Sequence, residues 1–305
     1  MKRLSKPMTP STVCSQAFIR GHRPAMYDRA MDHDALAQQI ANLWDRQDDA
    51  SSFSPGEHAL ITAAVELLDS GDARVAEIIN DDIVVHDWLK QAILLYFSVN
   101  SNAQQEIGPF EIYDKVPLKS GFDAAGVRVV PGAIARWGSF IEPGAILMPS
   151  FVNIGARVGS GSMIDTWATV GSCAQAGRNV HISGGVGLGG VLEPPQAAPV
   201  VIEDDAFVGS RCMVTEGARV RRGAMLGAGV ILNPSIPVID AESGEEVSRG
   251  VVPPWCLVIN ATRPKTYAGG TFGLACALII KHFDEGERHD KAALNTFLRE
   301  EGIAL

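Results

Sequence analysis

Three side chains in the middle of the sequence can do acid–base or anion chemistry. Asp165 lies in Met163-Ile-Asp-Thr-Trp167, directly after an aliphatic residue, where segments of the same spacing carry Gly159, Gly171, Gly177 and Gly189. A carboxylate there can take a proton from an incoming nucleophile, or it can close an Asx-type turn. His181, one residue before Ile182, offers an imidazole that titrates near neutrality, or it simply faces out from a wall. As a single histidine in its stretch it makes a poor metal site, which needs several ligands converging on one ion. Arg128 carries a planar fork suited to a carboxylate, unless it is a surface arginine at a domain boundary. The glycine-rich turns around these residues expose backbone N–H groups of the kind that stabilise an oxyanion. The five cysteines (Cys14, Cys173, Cys212, Cys256, Cys276) are scattered and form no CxxC pair. They read as free thiols in a reducing compartment rather than as zinc ligands or disulfides.

The elements that position such residues belong to a soluble chain of 305 residues, 46% hydrophobic and 20% charged. That composition excludes wholesale disorder. A net charge of −9 argues against general nucleic-acid binding. The longest apolar runs, such as Leu274 to Ile280, are too short to span a bilayer. No secretory signal is visible, so a cytoplasmic location is expected. Residues 1–30 hold six basic side chains and one acid, Asp28. They read as a poorly ordered extension outside core and site rather than as a transit peptide.

From Met31 to about Asn100 the apolar spacing is helical. Ser54-Pro55-Gly56-Glu57 reads as an N-cap, a proline at the first helical position and an acid in the first turn, with Gly71 as the stop. Val75 to Val85 reads as a hairpin around Asn80-Asp81-Asp82, and Trp88 to Phe97 as another helix. The next signal is an internal repeat. Aliphatic or apolar residues recur every six positions at Ile134, Phe140, Ile146, Val152, Val158, Ile164, Val170, Ala176, Ile182 and Leu188. Small residues follow four positions later (Gly138, Gly144, Ser150, Ala156, Ser162, Ala168, Ala174). The register slips at Glu193-Pro194-Pro195-Gln196 and resumes at Ile202, Val208, Val214, Val220, Leu226 and Leu232. Neither a helix nor an ordinary strand has this period. It predicts a mainly β chain built on a left-handed parallel β-helix, three hexapeptides to a triangular coil, about five coils in all. Each aliphatic should point inward, so Arg128, six before Ile134, should interrupt the pattern at the first rim. The slip should be a loop thrown from one corner, and Asp240 to Glu246 a hairpin tip. The expected organisation is a basic extension over 1–30, a mostly helical domain over 31–125, the β-helix over 126–255, and C-terminal strands with an amphipathic helix (Ala292, Leu294, Phe297, Leu298) over 256–305.

Five segments carry a resemblance: Asp114-Lys-Val-Pro-Leu-Lys119, Arg128-Val-Val-Pro131, Leu147 to Gly155, Met163-Ile-Asp-Thr-Trp-Ala-Thr-Val-Gly-Ser-Cys-Ala-Gln175, and Asn179 to Pro194 with its Ser-Gly-Gly-Val-Gly-Leu-Gly-Gly core. Together they resemble the tetrahydrodipicolinate N-succinyltransferase family of the succinylase branch of lysine and diaminopimelate biosynthesis. The resemblance implies a homotrimer with sites between neighbouring β-helices, succinyl-CoA as acyl donor, no metal, and a cyclic dicarboxylate whose amine attacks the thioester. It implies Asp165 as the residue that activates the amine, with Arg128 and Gly190 as further substrate contacts. The CoA phosphates need local cations in a chain of net charge −9, and the candidates are Arg219, Arg221, Arg222, Arg263, Lys265 and Lys281, with Lys265, between Pro264 and a Tyr-Ala-Gly-Gly loop, preferred. Arg219, Arg221 and Arg222 share one turn and read as a solvated face. Two departures stand out. The family's second catalytic carboxylate falls on Met213, a thioether that cannot accept a proton, and Glu216 lies three residues further on. The linker between Lys119 and Arg128 is also shorter than usual. These departures leave two alternatives open: the same acyl transfer in making a lysine-like β-lactam toxin (tabtoxin), or an inactive β-helix scaffold.

Overall fold

The hexad closes into coils because each repeat supplies two things, an inward aliphatic and a corner residue that accepts a left-handed conformation. In the computed structural model, which describes residues 33–108, 110–285 and 299, strands of two residues line the three walls of a left-handed parallel β-helix. One wall stacks Arg128–Val129, Ile146–Leu147, Met163–Ile164, His181–Ile182, Phe207–Val208 and Met225–Leu226. The second runs from Ile134–Ala135 to Ile231–Leu232, and the third from Phe140–Ile141 to Val251–Val252. Each wall has at least six rungs, one coil more than the sixteen matching positions imply. Val158, Ile164, Val170, Ile182, Val208 and Leu226 are fully buried in one continuous column. Corners take left-handed φ at non-glycine residues, including Trp167, Cys173, Asn179 and Arg211.

The phase of the first coil and a half differs from expectation. Ile134, Phe140 and Ile146 face outward, and Ala135, Ile141 and Leu147 fill the interior. The step from Leu147 to Val152 takes five residues, through Pro149 and Ser150, and resets the phase. The buried small residues of these coils are Ser139 and Ala145, beside Gly138 and Gly144, which hold φ of 80° and 82°. Arg128 therefore replaces no inward aliphatic. Val129 takes that place, and Arg128 heads the outward column of its wall.

The Pro-rich slip is a single corner extended by eight residues. Gln175 pairs with Val201, whereas Arg157 pairs with Gln175 at the regular interval of eighteen. The excursion at Asp240 is the expected hairpin, Pro237–Asp240 against Glu246–Arg249. After Val251–Val252 the chain adds a last rung at Leu257–Val258, then leaves the helix as a long antiparallel arm, Cys256–Tyr267 against Gly270–His282. Residues 1–32 and the expected terminal helix at 292–298 lie outside the described residues.

The N-terminal region holds helices α1 (His33–Trp44), α2 (Pro55–Ser70) and α3 (Asp87–Val99). α2 starts on a complete capping box, Ser54 with Glu57, and stops at Gly71 with φ of 82°. Two hairpins flank α3, Ala76–Ile79 with Asp82–Val85 and Ala103–Ile107 with Phe110–Asp114; only the first was legible in advance. The helices share their core with the corner between the second and third walls, where Ile154 and Cys173 are fully buried among Leu36, Val65 and Ile93. Lys90, wholly buried, donates to the carbonyl of Ala197 at 2.6 Å and pins the Pro-rich corner. Arg219 and Arg221 are not the solvated face expected of them, whereas Arg222 is exposed. Arg219 is 8% exposed and, with Arg221, grips Asp81 at the tip of the first hairpin, while Arg222 pairs with Asp204.

The revised phase makes a direct prediction. Ile141→Ala should destabilise the protein by about 2–5 kcal/mol in urea unfolding, the cost of a large-to-small change in a packed core. Ile134→Ala, at a site 40% exposed, should cost less than about 1 kcal/mol. The opposite order would restore the expected phase.

Candidate active site

Three edges separate the walls, and each has a different environment. The edge between the second and third walls lies under the N-terminal helices. The edge between the third wall and the first is a ladder of ion pairs, Glu142 with Arg157 and Arg178 and Asp204 with Arg222, joined by a hydrogen bond from the Asn179 amide to Asp205. Asp165 stands on the remaining edge, immediately after the rung Met163–Ile164.

The local backbone orients this carboxylate. Its Oδ1 accepts from the N–H of the next residue, Thr166, at 2.6 Å and from the Thr166 hydroxyl at 3.2 Å. Thr166 thus occupies one oxygen and leaves Oδ2 without that contact. Oδ2 lies 3.7 Å from Nε2 of His181. The rungs account for this proximity, because His181 pairs directly with Met163 in the next coil. Phe207, one coil further, stacks on the imidazole with ring centroids 5.3 Å apart and planes inclined by 26°. Asp165 and His181 keep about a third and a quarter of their side-chain surface open. Trp167, from the same corner, is 79% exposed with φ of 62°.

The other expected site residues are spread along the prism. Arg128 lies in the same outward column as His181, two rungs below Met163, roughly 10 Å down the wall at the usual strand spacing. Gly190 lies on the covered edge, a wall away from Asp165. A Cβ on it would come within 2.8 Å of the Ser172 backbone nitrogen, so glycine is required there for coil stacking. Met213 faces out from the second wall and folds over Gly187, where a Cβ would meet its sulfur at 2.6 Å. Glu216 is exposed on the same edge as Gly190 and does not share the corner of Asp165. Lys265 is exposed in the outer half of the arm, paired with Phe272, its ammonium 5.5 Å from the Tyr267 ring centre.

The described thiols are unsuited to nucleophilic catalysis. Burial pushes Cys173 and Cys256 up to about 12 and Cys212 up to about 11, and raises Cys276 as well. On the open edge a carboxylate and an imidazole, Asp165 and His181, lie in ion-pair range.

Two sequence profiles match the chain. One, described as Tetrahydrodipicolinate N-succinyltransferase N-terminal, covers residues 35–99, the three helices and the first hairpin. The other, Hexapeptide repeat of succinyl-transferase, covers residues 199–234. A 2,3,4,5-tetrahydropyridine-2,6-dicarboxylate N-succinyltransferase of Paramagnetospirillum magneticum is 48% identical over 88% of this chain and the whole of its own. A protein of the same name from Dechloromonas aromatica is 47% identical over 87% of this chain and 98% of its own. Near-complete coverage in both directions joins the helical region, the β-helix and the site corner in a single likeness, and the chain belongs to the 2,3,4,5-tetrahydropyridine-2,6-dicarboxylate N-succinyltransferase family.

Proposed function

We propose that this chain transfers a succinyl group from succinyl-CoA to the amine of hydrated or ring-opened tetrahydrodipicolinate, in the succinylase branch of diaminopimelate and lysine biosynthesis. The observation that carries the reading is the end-to-end identity with relatives of that name, 48% over 282 residues in one case. Neither the toxin pathway nor an inert scaffold is favoured by those relatives. The products are N-succinyl-2-amino-6-oxopimelate and free CoA.

The residues support this chemistry as follows. The amine attacks the thioester carbonyl and must shed a proton, which a carboxylate or imidazole at the attack site assists. Asp165 is on the open edge with one oxygen held by Thr166 and the other 3.7 Å from Nε2 of His181. The tetrahedral oxyanion would be met by backbone N–H groups at the corners. Arg128, exposed on the same wall, suits a substrate carboxylate. Gly190 would contribute through bare backbone on the neighbouring edge. Raised thiol pKa values favour direct transfer over an acyl-cysteine intermediate. With Arg219, Arg221 and Arg222 committed to protein partners, Lys265 is the better placed cation for the CoA phosphates.

The working form is proposed to be a cytoplasmic homotrimer. No helix among the described residues is long and apolar enough to cross a membrane. Ile134, Met213, Ile231 and Trp167 leave large apolar surfaces open on the second wall and its edge, the kind of surface that association covers.

Three outcomes follow. Mixed with tetrahydrodipicolinate, the protein should release free thiol from succinyl-CoA at least tenfold faster than from acetyl-CoA; no release from either would remove the acyl-transfer reading. Sedimentation at micromolar concentration should give a trimer, and a monomer would remove the basis for a shared site. Asp165→Asn should lower kcat by about 10²–10⁴, with melting temperature and assembly unchanged. Wild-type turnover in that variant would displace Asp165 from the chemistry.

A further inference from the structure

A second candidate site lies on the third wall, opposite the edge that carries Asp165. We infer that the cleft between the first hairpin and this wall binds a small aliphatic monocarboxylate, with Arg74 as the group that receives its charged end. The site is independent of the acyl-transfer reading and goes beyond it.

The cleft has a volume of about 380 Å³, the size of a small-molecule site. Arg74, Ala76 and Glu77 line it from the start of the hairpin, and Gln175 and Val201 from paired rungs of the wall. Gln175 faces outward on its rung yet is only 2% exposed. Its Nε2 donates to the carbonyls of Cys173 at 2.9 Å and Gly155 at 3.3 Å, which fixes the amide. Its Oε1 accepts from Nε and Nη2 of Arg74 at 3.4 and 3.3 Å. These long bonds to a neutral acceptor place the guanidinium without neutralising it. Among the described residues Arg74 forms no ion pair, and its Nη1 has no protein acceptor. Withdrawal from water and the charge of Arg157 lower the Arg74 pKa, and the more distant carboxylates of Glu77, Glu142 and Asp204 offset only part of this.

The acids that line the cleft are engaged elsewhere. Glu203 accepts from Nε of Arg219 and from the N–H of Arg222. Asp204 accepts from the N–H of Arg178 at 2.8 Å and pairs with the Arg222 guanidinium at 3.3 Å. Glu77 lies 2.9 Å from Nε2 of His86, within hydrogen-bond reach. With these contacts made, one positive charge is left for a ligand, and a guanidinium fork suits a single carboxylate. A dianion such as phosphate would meet the flanking Glu77, Glu203 and Asp204 at greater cost. The buried side chains of Ala76 and Val201 offer an apolar surface to a short alkyl body. A ligand held there touches the hairpin and the wall together, so its binding tightens the junction between the N-terminal region and the β-helix.

The test titrates butyrate into the full-length protein at constant ionic strength, with chloride as the balancing anion. Butyrate should bind one site per chain with a Kd of roughly 0.1–10 mM and raise the melting temperature. Inorganic phosphate and butylammonium should bind at least about tenfold more weakly. Arg74→Gln should weaken butyrate binding at least about tenfold. Peptide mapping after phenylglyoxal treatment gives a readout on the wild-type protein, which stands even if the variant fails to fold. Butyrate should slow modification of Arg74 at least about fivefold and leave that of the exposed Arg249 within about twofold. Absence of saturable butyrate binding, equal binding of phosphate or butylammonium, unchanged affinity in folded Arg74→Gln, or no protection of Arg74 would each overturn the site, and each leaves the acyl-transfer reading as it was.

Discussion

Everything in this molecule depends on the backbone ladder that joins each coil to the next. The N–H of Asp165 donates to Ile182 at 2.9 Å, that of Met163 to Val180 at 2.9 Å, and that of Thr169 to Val186 at 2.8 Å, and the pattern repeats along all three walls. Parallel pairing of two-residue strands offers few bonds per strand, so stability must come from stacking many coils over one aliphatic column. The ladder also sets which way each side chain faces. A one-residue shift would put Ile164 outside and Met163 inside, and would turn Asp165 away from its edge. The geometry of the site is therefore held by the same bonds that hold the fold, a rigid support of the kind that acid–base chemistry requires.

Much of this was legible in the sequence, and the exceptions have physical causes. From Val152 to Leu232, outside the Pro-rich slip, the inward positions follow the spacing of six, and six rungs mark the phase unambiguously because their outward member is polar, charged or glycine: Arg157, Thr169, Gln175, His181, Gly187, Arg219. In the first coils both members of each rung are apolar, as in Ile134–Ala135, Phe140–Ile141 and Ile146–Leu147, so either phase satisfies a hydrophobic count. The outward members are apolar for a separate reason. Phe140, for instance, packs beneath Gly71 at the end of α2 and under the Arg157 guanidinium. The proximity of Asp165 and His181 was within reach, since a coil of eighteen residues sets His181 over Met163. Their separation along the chain gives no hint of it until the coil length is applied. The function of Arg219 and Arg221 was not within reach, because the hairpin that docks on them is more than a hundred residues away in sequence.

The charges follow a consistent division of labour. Buried or half-buried cations join the two regions of the chain: Lys90 to the Pro-rich corner, Lys119 to Asp69 at 2.7 Å, Arg74 to Gln175, Arg219 to Asp81 and Glu203. Desolvation lowers the pKa of Lys90 and Arg74, which marks how far these groups have been withdrawn from water. Removing one partner from such a site would leave a buried charge uncompensated, so these contacts fix the position of the N-terminal region more strongly than they add net stability. In a chain of net charge −9, cations committed to internal contacts are unavailable to a polyanionic cosubstrate.

The location of the site follows from what happens to the three edges. Helices α1 to α3 and the extended corner close one. Reciprocal ion pairs along Glu142, Arg178, Asp204 and Arg222 occupy the second, and a carboxylate there is already neutralised by its neighbours. Among the described residues, the third presents a carboxylate, Asp165, in ion-pair range of an imidazole one rung away, with Trp167 exposed at the same corner. The fold is threefold in its coils but not in its coverings. The register of the ladder determines which side chains meet at each edge, and at the third it sets His181 one rung above Met163, beside Asp165.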